Sequence, residues 1–368
     1  MIGHDEQVFA LARQLGVSSD YTQHDYFPYC TNITLTDQND RYCGEDGRGD
    51  CGRCAPNAPN GDIGAWRRKH GELLSQVRAV LSPSRDAAGR FQRMWPGLPL
   101  HVAPHTDIAV PADLPAPAPE AIGGRALRIA VLGGLSRIKG ADVLEEVATL
   151  AARSGAALEF HLLGHAYRNL HTQPQAALSV HGAYQEPDLP RLLAWLKPDI
   201  VWFPAQWPET YSYTLSACLE AALPVAATDL GAFGERLAGR RWSWVERWDQ
   251  PAQAWLDFFQ RVRDRHFAAA DAPPPLLWSV DAAAAALPTW AHERDYVRGL
   301  QAMPVGELPP AVLQAAAAPP PPPVASGPGL KRLALSSLAR LRAAPGLRRV
   351  ARAIPSQVQR RVKNWLVA

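Results

Sequence analysis

The sequence predicts an α/β fold in two domains, the second a parallel sheet flanked by helices. Three observations carry this. The chain has 368 residues, enough for two domains that each bury a core. From Arg128 onward short apolar runs alternate with amphipathic stretches for over a hundred residues, the signature of β-strands linked by crossover helices. A Pro- and Ala-rich stretch, Val110 to Ala121, precedes that alternation and reads as a linker.

In chain order, the segment 1–121 is expected to be a first domain with a Cys-rich loop. It closes on a strand-helix-strand unit around Leu81-Ser82, Ala87 to Met94 and Leu100 to Val102. The second domain, 122–303, has predicted strands at Arg128 to Leu132, Leu158 to Leu163, Ser179 to Val180, Ile200 to Phe203 and Val225 to Thr228. Helices are predicted at Ala141 to Arg153, Leu189 to Leu196, Thr214 to Ala222, Gly234 to Ala238 and, after a poorly patterned region, Trp290 to Ala302. An Ala/Pro-rich spacer, 304–329, includes the run Pro319 to Pro323 and favours extended chain over a packed element. In 330–368, Leu330, Leu333, Leu338 and Leu341 share one helical face bordered by Lys and Arg, while Pro345 and Pro355 divide the tail into short helices.

Charge narrows the function classes. The net charge of +3 hides ten Lys and Arg residues with no acid between Gly329 and Ala368, leaving 28 basic against 35 acidic residues in the body. An acidic body argues against a general nucleic-acid binder, and the tail fits an anionic membrane surface instead. No run reaches the length of a membrane span, and the first residues lack a secretory pattern. A cytoplasmic location, peripheral on the inner face of the membrane, is the expectation.

Cys30, Cys43, Cys51 and Cys54 lie together in a polar loop. Their four thiolates would complete a structural zinc site with no position left for water or substrate; the alternative is four reduced thiols. Cys218 reads as core.

The chemistry is read from Val131-Leu132-Gly133-Gly134-Leu135-Ser136-Arg137-Ile138-Lys139-Gly140, a strand, a glycine turn and two cations ahead of a helix. Glycines allow the backbone to approach an anion, a helix start offers N–H groups, and Arg137 and Lys139 supply charge for a diphosphate. A dinucleotide fingerprint is absent, because the glycines are not spaced G-x-G-x-x-G.

Together with the segments beyond it, this turn resembles the nucleotide-sugar domain of family 4 glycosyltransferases. Those segments are Leu162-Leu163-Gly164-His165, then His181-Gly182-Ala183-Tyr184, then Pro208-Glu209-Thr210-Tyr211-Ser212-Tyr213-Thr214-Leu215 leading to Leu223-Pro224-Val225. The resemblance implies the GT-B architecture of two Rossmann-like doubly wound domains, and a retaining, metal-independent transfer of a sugar from a nucleotide diphosphate sugar. The acceptor would be a hydroxyl of a cell-surface polysaccharide or lipid-linked glycan. It implies that Gly134, Arg137, Lys139, Gly164, His181, Gly182, Tyr184, Glu209, Tyr211 and Thr214 contact the donor. His24 in Tyr21-Thr22-Gln23-His24-Asp25-Tyr26 would meet the sugar from the first domain, with Asp25 orienting it or engaging the acceptor, and Glu209 would orient the sugar. His105 reads as structural.

Two departures bear on activity. In the family a second Glu stands eight positions after the first and holds the ribose; here that position is Ala217, and Glu220 lies one helical turn on, about 60° around the helix. Only a short segment precedes His24, so the first domain is expected to be incomplete: a fragment, a mis-started frame, or a sheet completed by another polypeptide. A catalytically silent GT-B-like scaffold subunit is therefore the alternative function.

Overall fold

The computed structural model describes residues 17–37, 39–45, 51, 62–105 and 114–297, all within one compact unit. The predicted spacer and basic tail, Cys54 and the start of the linker lie outside the described residues.

Two all-parallel sheets organise this unit. The smaller contains β1 (Asp20–Thr22), β2 (Ala79–Ser82) and β3 (Leu100–Val102) in that order. Helix α1 (Ile63–Leu74) precedes β2, and α2 (Arg85–Met94) links β2 to β3. The start of α2 is set by Ser84, whose hydroxyl accepts from Ala87 N–H at 3.2 Å, a serine N-cap. A later segment returns to this sheet: Val102 pairs with Thr289, its N–H donating to Pro288 and its carbonyl accepting from Trp290.

The larger sheet contains β4 (Leu127–Leu135), β5 (Leu158–Ala166), β6 (Leu178–Val180), β7 (Ile200–Phe203), β8 (Val225–Thr228) and β9 (Ser243–Glu246). Their spatial order is β6-β5-β4-β7-β8-β9, the doubly wound arrangement in which the first strand sits beside the fourth. Helices α3 (Ala141–Ser154), α4 (Leu189–Leu196), α5 (Tyr213–Glu220), α6 (Phe233–Leu237) and α7 (Ala252–Val262) cover its faces. All four residues of β7 and of β8 are buried, as expected for central strands covered on both sides. The α/β class with parallel sheets is thus as the sequence predicts.

Four elements differ from expectation. The strand predicted to stop at Leu132 runs on through Gly133, Gly134 and Leu135, because these residues pair with Gly164, His165 and Ala166 of β5. Strand β9 and helix α7 fill the region whose patterning is poor. Helix α7 buries Trp255, Leu256, Phe258, Phe259 and Val262, and the Trp255 and Phe259 rings lie 5.0 and 5.1 Å from that of Trp202 on β7. Where the sequence predicts a helix from Trp290, a π-helical turn spans His292–Val297, and residues beyond it are outside those described.

The sheets share one apolar cluster, in which Tyr26, Val80 and Phe91 of the smaller sheet's layer meet Leu163, Val201, Phe203 and Trp207 of the larger. Polar bonds cross the same boundary: Glu235 of α6 accepts from Arg85 N–H at 3.0 Å at the start of α2, and Thr210 Oγ1 donates to the His24 carbonyl at 2.9 Å. These contacts bring the segment after β1 against the loop that follows β7.

Candidate functional site

In a doubly wound sheet the connections leave neighbouring central strands in opposite directions, and a crevice opens beyond their carboxyl ends. Here that point lies between β4 and β7, and a cleft of about 460 Å³ lies beside it. Gly133, Gly134, Gly164, Tyr184, Thr214 and Ala217 are among its walls. Two of the glycines are required by backbone geometry. Gly133 has φ +95 and Gly164 has φ +140, and a Cβ on Gly164 would collide with the Gly133 carbonyl. The floor is therefore bare backbone that a ligand can approach closely.

The turn after β4 carries the cations. Residues Arg137–Lys139 form a 3-10 turn that ends in left-handed Gly140, where any side chain would strike Pro204. Lys139 Nζ lies 3.7 Å from Glu209 Oε1. The Glu209 side chain is only 14% exposed, and its Oε1 also accepts from Trp207 Nε1 at 3.0 Å. Burial pushes the Glu209 carboxyl above its ordinary pKa, while Lys139 and the Trp207 N–H pull it back. Gly231, at φ +68, lets the chain pass against the Glu209 backbone, and Ala232 N–H donates to the Glu209 carbonyl at 2.9 Å. Lys139, Glu209 and Thr214 all border a cavity of about 30 Å³ next to the main cleft.

Arg137 is held differently. Its Nε donates to Asp142 at 3.1 Å, its Nη1 lies 3.5 Å from Asp40, and its guanidinium sits 5.6 Å from the centre of the Tyr167 ring. Both cations thus stand beside carboxylates with roughly half their side-chain surface exposed, so an entering anion would replace a carboxylate partner.

The remaining sequence-predicted residues divide into those at the cleft and those away from it. Gly134, Gly164, Tyr184 and Thr214 line it. Gly182 bridges to Gly164 at its edge. His181 turns to His161, with Nδ1 of His161 and Nε2 of His181 3.2 Å apart, and burial lowers both imidazole pKa values. Tyr211 is buried beneath Arg236, whose guanidinium lies 3.8 Å from its ring centre. Asp25 accepts from Phe27 N–H at 2.8 Å within its own turn. His24 lies just past the end of β1, exposed, with its ring stacked on His105 at 6.1 Å.

Ala217 and Glu220 both face the cleft, although the helical-wheel angle separates them. Residues three apart on a helix are surface neighbours, and the cleft is wide enough to meet both.

Among the thiols, Cys30 Sγ accepts from Asn32 N–H at 3.4 Å and Cys51 Sγ from Arg67 Nη2 at 3.7 Å. Among the described residues no group of three or more His, Cys, Asp or Glu is arranged to hold a metal ion; Cys54 is not among them. Cys218 is core, its thiol pushed up to about 12 by burial.

Sequence reasoning missed two residues here. His105 stacks on Tyr213 at 5.3 Å and 17°, and meets Tyr211 edge-on at 4.7 Å. It is therefore the middle ring of a ladder His24–His105–Tyr213 that joins the smaller sheet's side to the cleft. The Tyr-Ser-Tyr run was the available signal for Tyr213, but its pairing with a residue from the other segment is a tertiary event.

No family model matches the chain, and no curated protein matches it. Among solved structures it is similar to TarM, with 11% identity and a TM-score of 0.45 over 69% of this chain and 45% of that one. It is similar to the lipopolysaccharide outer core galactosyltransferase WaaB, with 12% identity and a TM-score of 0.42 over 54% of this chain and 56% of that one. A third is Anabaena Alr3699/HepE, solved with UDP and glucose, with 15% identity and a TM-score of 0.47 over 72% of this chain and 67% of that one. The chain thus spans about half the length of the first two.

Proposed function

We propose that this protein is a retaining glycosyltransferase that moves a sugar from a nucleotide diphosphate sugar to an acceptor hydroxyl. The observation that carries the reading is the cleft at the β4/β7 switch point, where a bare glycine floor lies beside Lys139 and Glu209 at 3.7 Å. Doubly wound sheets bind ligands in such crevices, and glycine backbone with nearby cations suits a diphosphate.

In this reading the bond from the anomeric carbon to the leaving diphosphate oxygen breaks, and a bond to the acceptor oxygen forms on the same face. The acceptor's hydroxyl proton passes to the departing diphosphate oxygen on that face. Lys139 and Arg137 would stabilise the charge that grows on the diphosphate, an electrostatic contribution that needs no divalent ion. Glu209, released from Lys139, would accept from sugar hydroxyls, and His24 would approach from the smaller sheet's side. Ala217 favours one rival, a silent binding subunit, since the ribose carboxylate expected there is missing.

Turnover separates the two. The expected result is release of nucleoside diphosphate from a nucleotide sugar in the presence of EDTA, with proton NMR showing the donor's anomeric configuration kept in the product. Binding without turnover across donors and acceptors would favour the silent subunit, and an inverted product would refute retention.

A further inference from the structure

The Tyr213 side chain is an exposed aromatic held in one orientation at the mouth of the cleft. It is 52% exposed, whereas α5 buries Leu215, Ser216, Cys218 and Leu219 in the core, so its ring is not part of the helix's packing face. Yet it is not a loose surface tyrosine. His105 stacks against one face at 5.3 Å and 17°, with His24 stacked behind His105 at 6.1 Å, and Tyr211 meets the ring edge at 5.5 Å.

The backbone beneath is held with equal care. Ser212, the N-cap of α5, has φ +79 and ψ 95, a conformation that a side-chain-bearing residue seldom adopts. Such residues are strained and persist where the surroundings enforce them, typically at functional sites. The enforcement here comes from Arg236, whose Nη1 donates to the carbonyls of Tyr211 and Ser212 at 2.9 and 2.8 Å, and whose Nη2 donates to Ser216 Oγ at 2.8 Å. The strained turn delivers Tyr213 to the cleft wall next to Thr214, and Thr214 also borders the small cavity lined by Glu209.

A fixed aromatic face open to a polar cleft suits a ligand with an apolar face and hydroxyls at its rim. A pyranose has both, because alternate axial C–H bonds gather on a face of the ring while equatorial hydroxyls project from its rim. We propose that Tyr213 is the platform on which the sugar of the bound nucleotide sugar stacks, oriented by His105. This rests on the proposed donor site and adds a residue that selects for the sugar rather than the nucleotide. Aromatic pairs contribute about 0.5–1.5 kcal/mol, and a sugar face on the ring is taken to be on that scale, a change in affinity of about two- to tenfold.

The test is calorimetric titration of UDP, UDP-glucose, GDP, GDP-mannose, ADP and TDP into the wild type and the Tyr213→Phe, Tyr213→Leu and Tyr213→Ser variants, with thermal melting as a check on folding. The Leu and Ser variants are expected to bind the sugar nucleotide about two- to tenfold more weakly while diphosphate affinity changes less than about twofold. The Phe variant should keep both affinities. Equal weakening of diphosphate and sugar nucleotide would overturn the proposal, since the ring would then serve the base or the turn. An unchanged sugar nucleotide affinity in all variants would also overturn it, with the donor site left standing. Absence of binding of UDP, GDP, ADP and TDP to the folded wild type would overturn the donor site and this proposal together.

Discussion

Replacing Glu209 with Gln is expected to cut turnover by roughly 100- to 1000-fold while the protein stays folded, the scale seen when a preorganised polar contact to the transition state is lost. The substitution keeps the shape and leaves an oxygen to accept from Trp207 Nε1, which donates to Glu209 at 3.0 Å. It removes the negative charge that faces Lys139 at 3.7 Å and would hold the sugar. The loss should therefore fall mainly on kcat, and Kd for the nucleoside diphosphate should stay level or improve, since Lys139 no longer has a carboxylate competing with phosphate. Steady-state kinetics with direct measurement of Kd separates these. Turnover within about twofold of wild type would remove Glu209 from the chemistry.

Gly164→Ala is expected to cost about 3 kcal/mol or more in urea unfolding, and to abolish nucleotide binding in whatever fraction remains folded. At φ +140 the new methyl group would collide with the Gly133 carbonyl, so β4 and β5 could not keep their register at the cleft floor. Gly155 provides the control. It also has positive φ, +64, at the end of α3, but an added Cβ there meets nothing within 4 Å, and its replacement by Ala should cost only about 1 kcal/mol. Equal losses for the two variants would mean that the close approach of β4 and β5 does not shape the floor.

How much of the fold is legible in the sequence depends on how local each signal is. Strands β7 and β8 stand out as unbroken apolar runs because both of their faces are covered, and α4 declares itself through the leucines at its buried positions. Strand β9 does not, since its four residues, Ser243-Trp244-Val245-Glu246, are too few and too mixed to show a period. Helix α7 carries an amphipathic pattern in Trp255, Phe258, Phe259 and Val262 that the surrounding Ala- and Pro-rich chain obscures. Gly133 and Gly134 read as a turn because glycine usually marks one; cross-strand pairing with Gly164 and His165 overrides that preference.

The same division applies at the site. The sequence marks Gly134, Gly164 and Thr214, which line one cleft, and Lys139 and Glu209, which border the cavity next to it; their role toward a diphosphate belongs to the proposal. Arg137's partners are not legible, since Asp40 comes from the segment between β1 and α1, far off in sequence, and Tyr167 from just past the end of β5. Nor can sequence spacing place His105 against Tyr213, because that stack forms only once the two sheets pack.

The proposed function stands on the cleft at the β4/β7 switch point taking a nucleoside diphosphate through Lys139. Calorimetric titration of UDP, GDP, ADP and TDP into the wild type and Lys139→Ala reads this out without any assumption about the acceptor. Saturable binding of one of these by the wild type is expected, weakened roughly ten- to 100-fold in the variant, as for the loss of one charge-assisted contact. Binding by neither protein while both are folded, or equal binding by both, would contradict it.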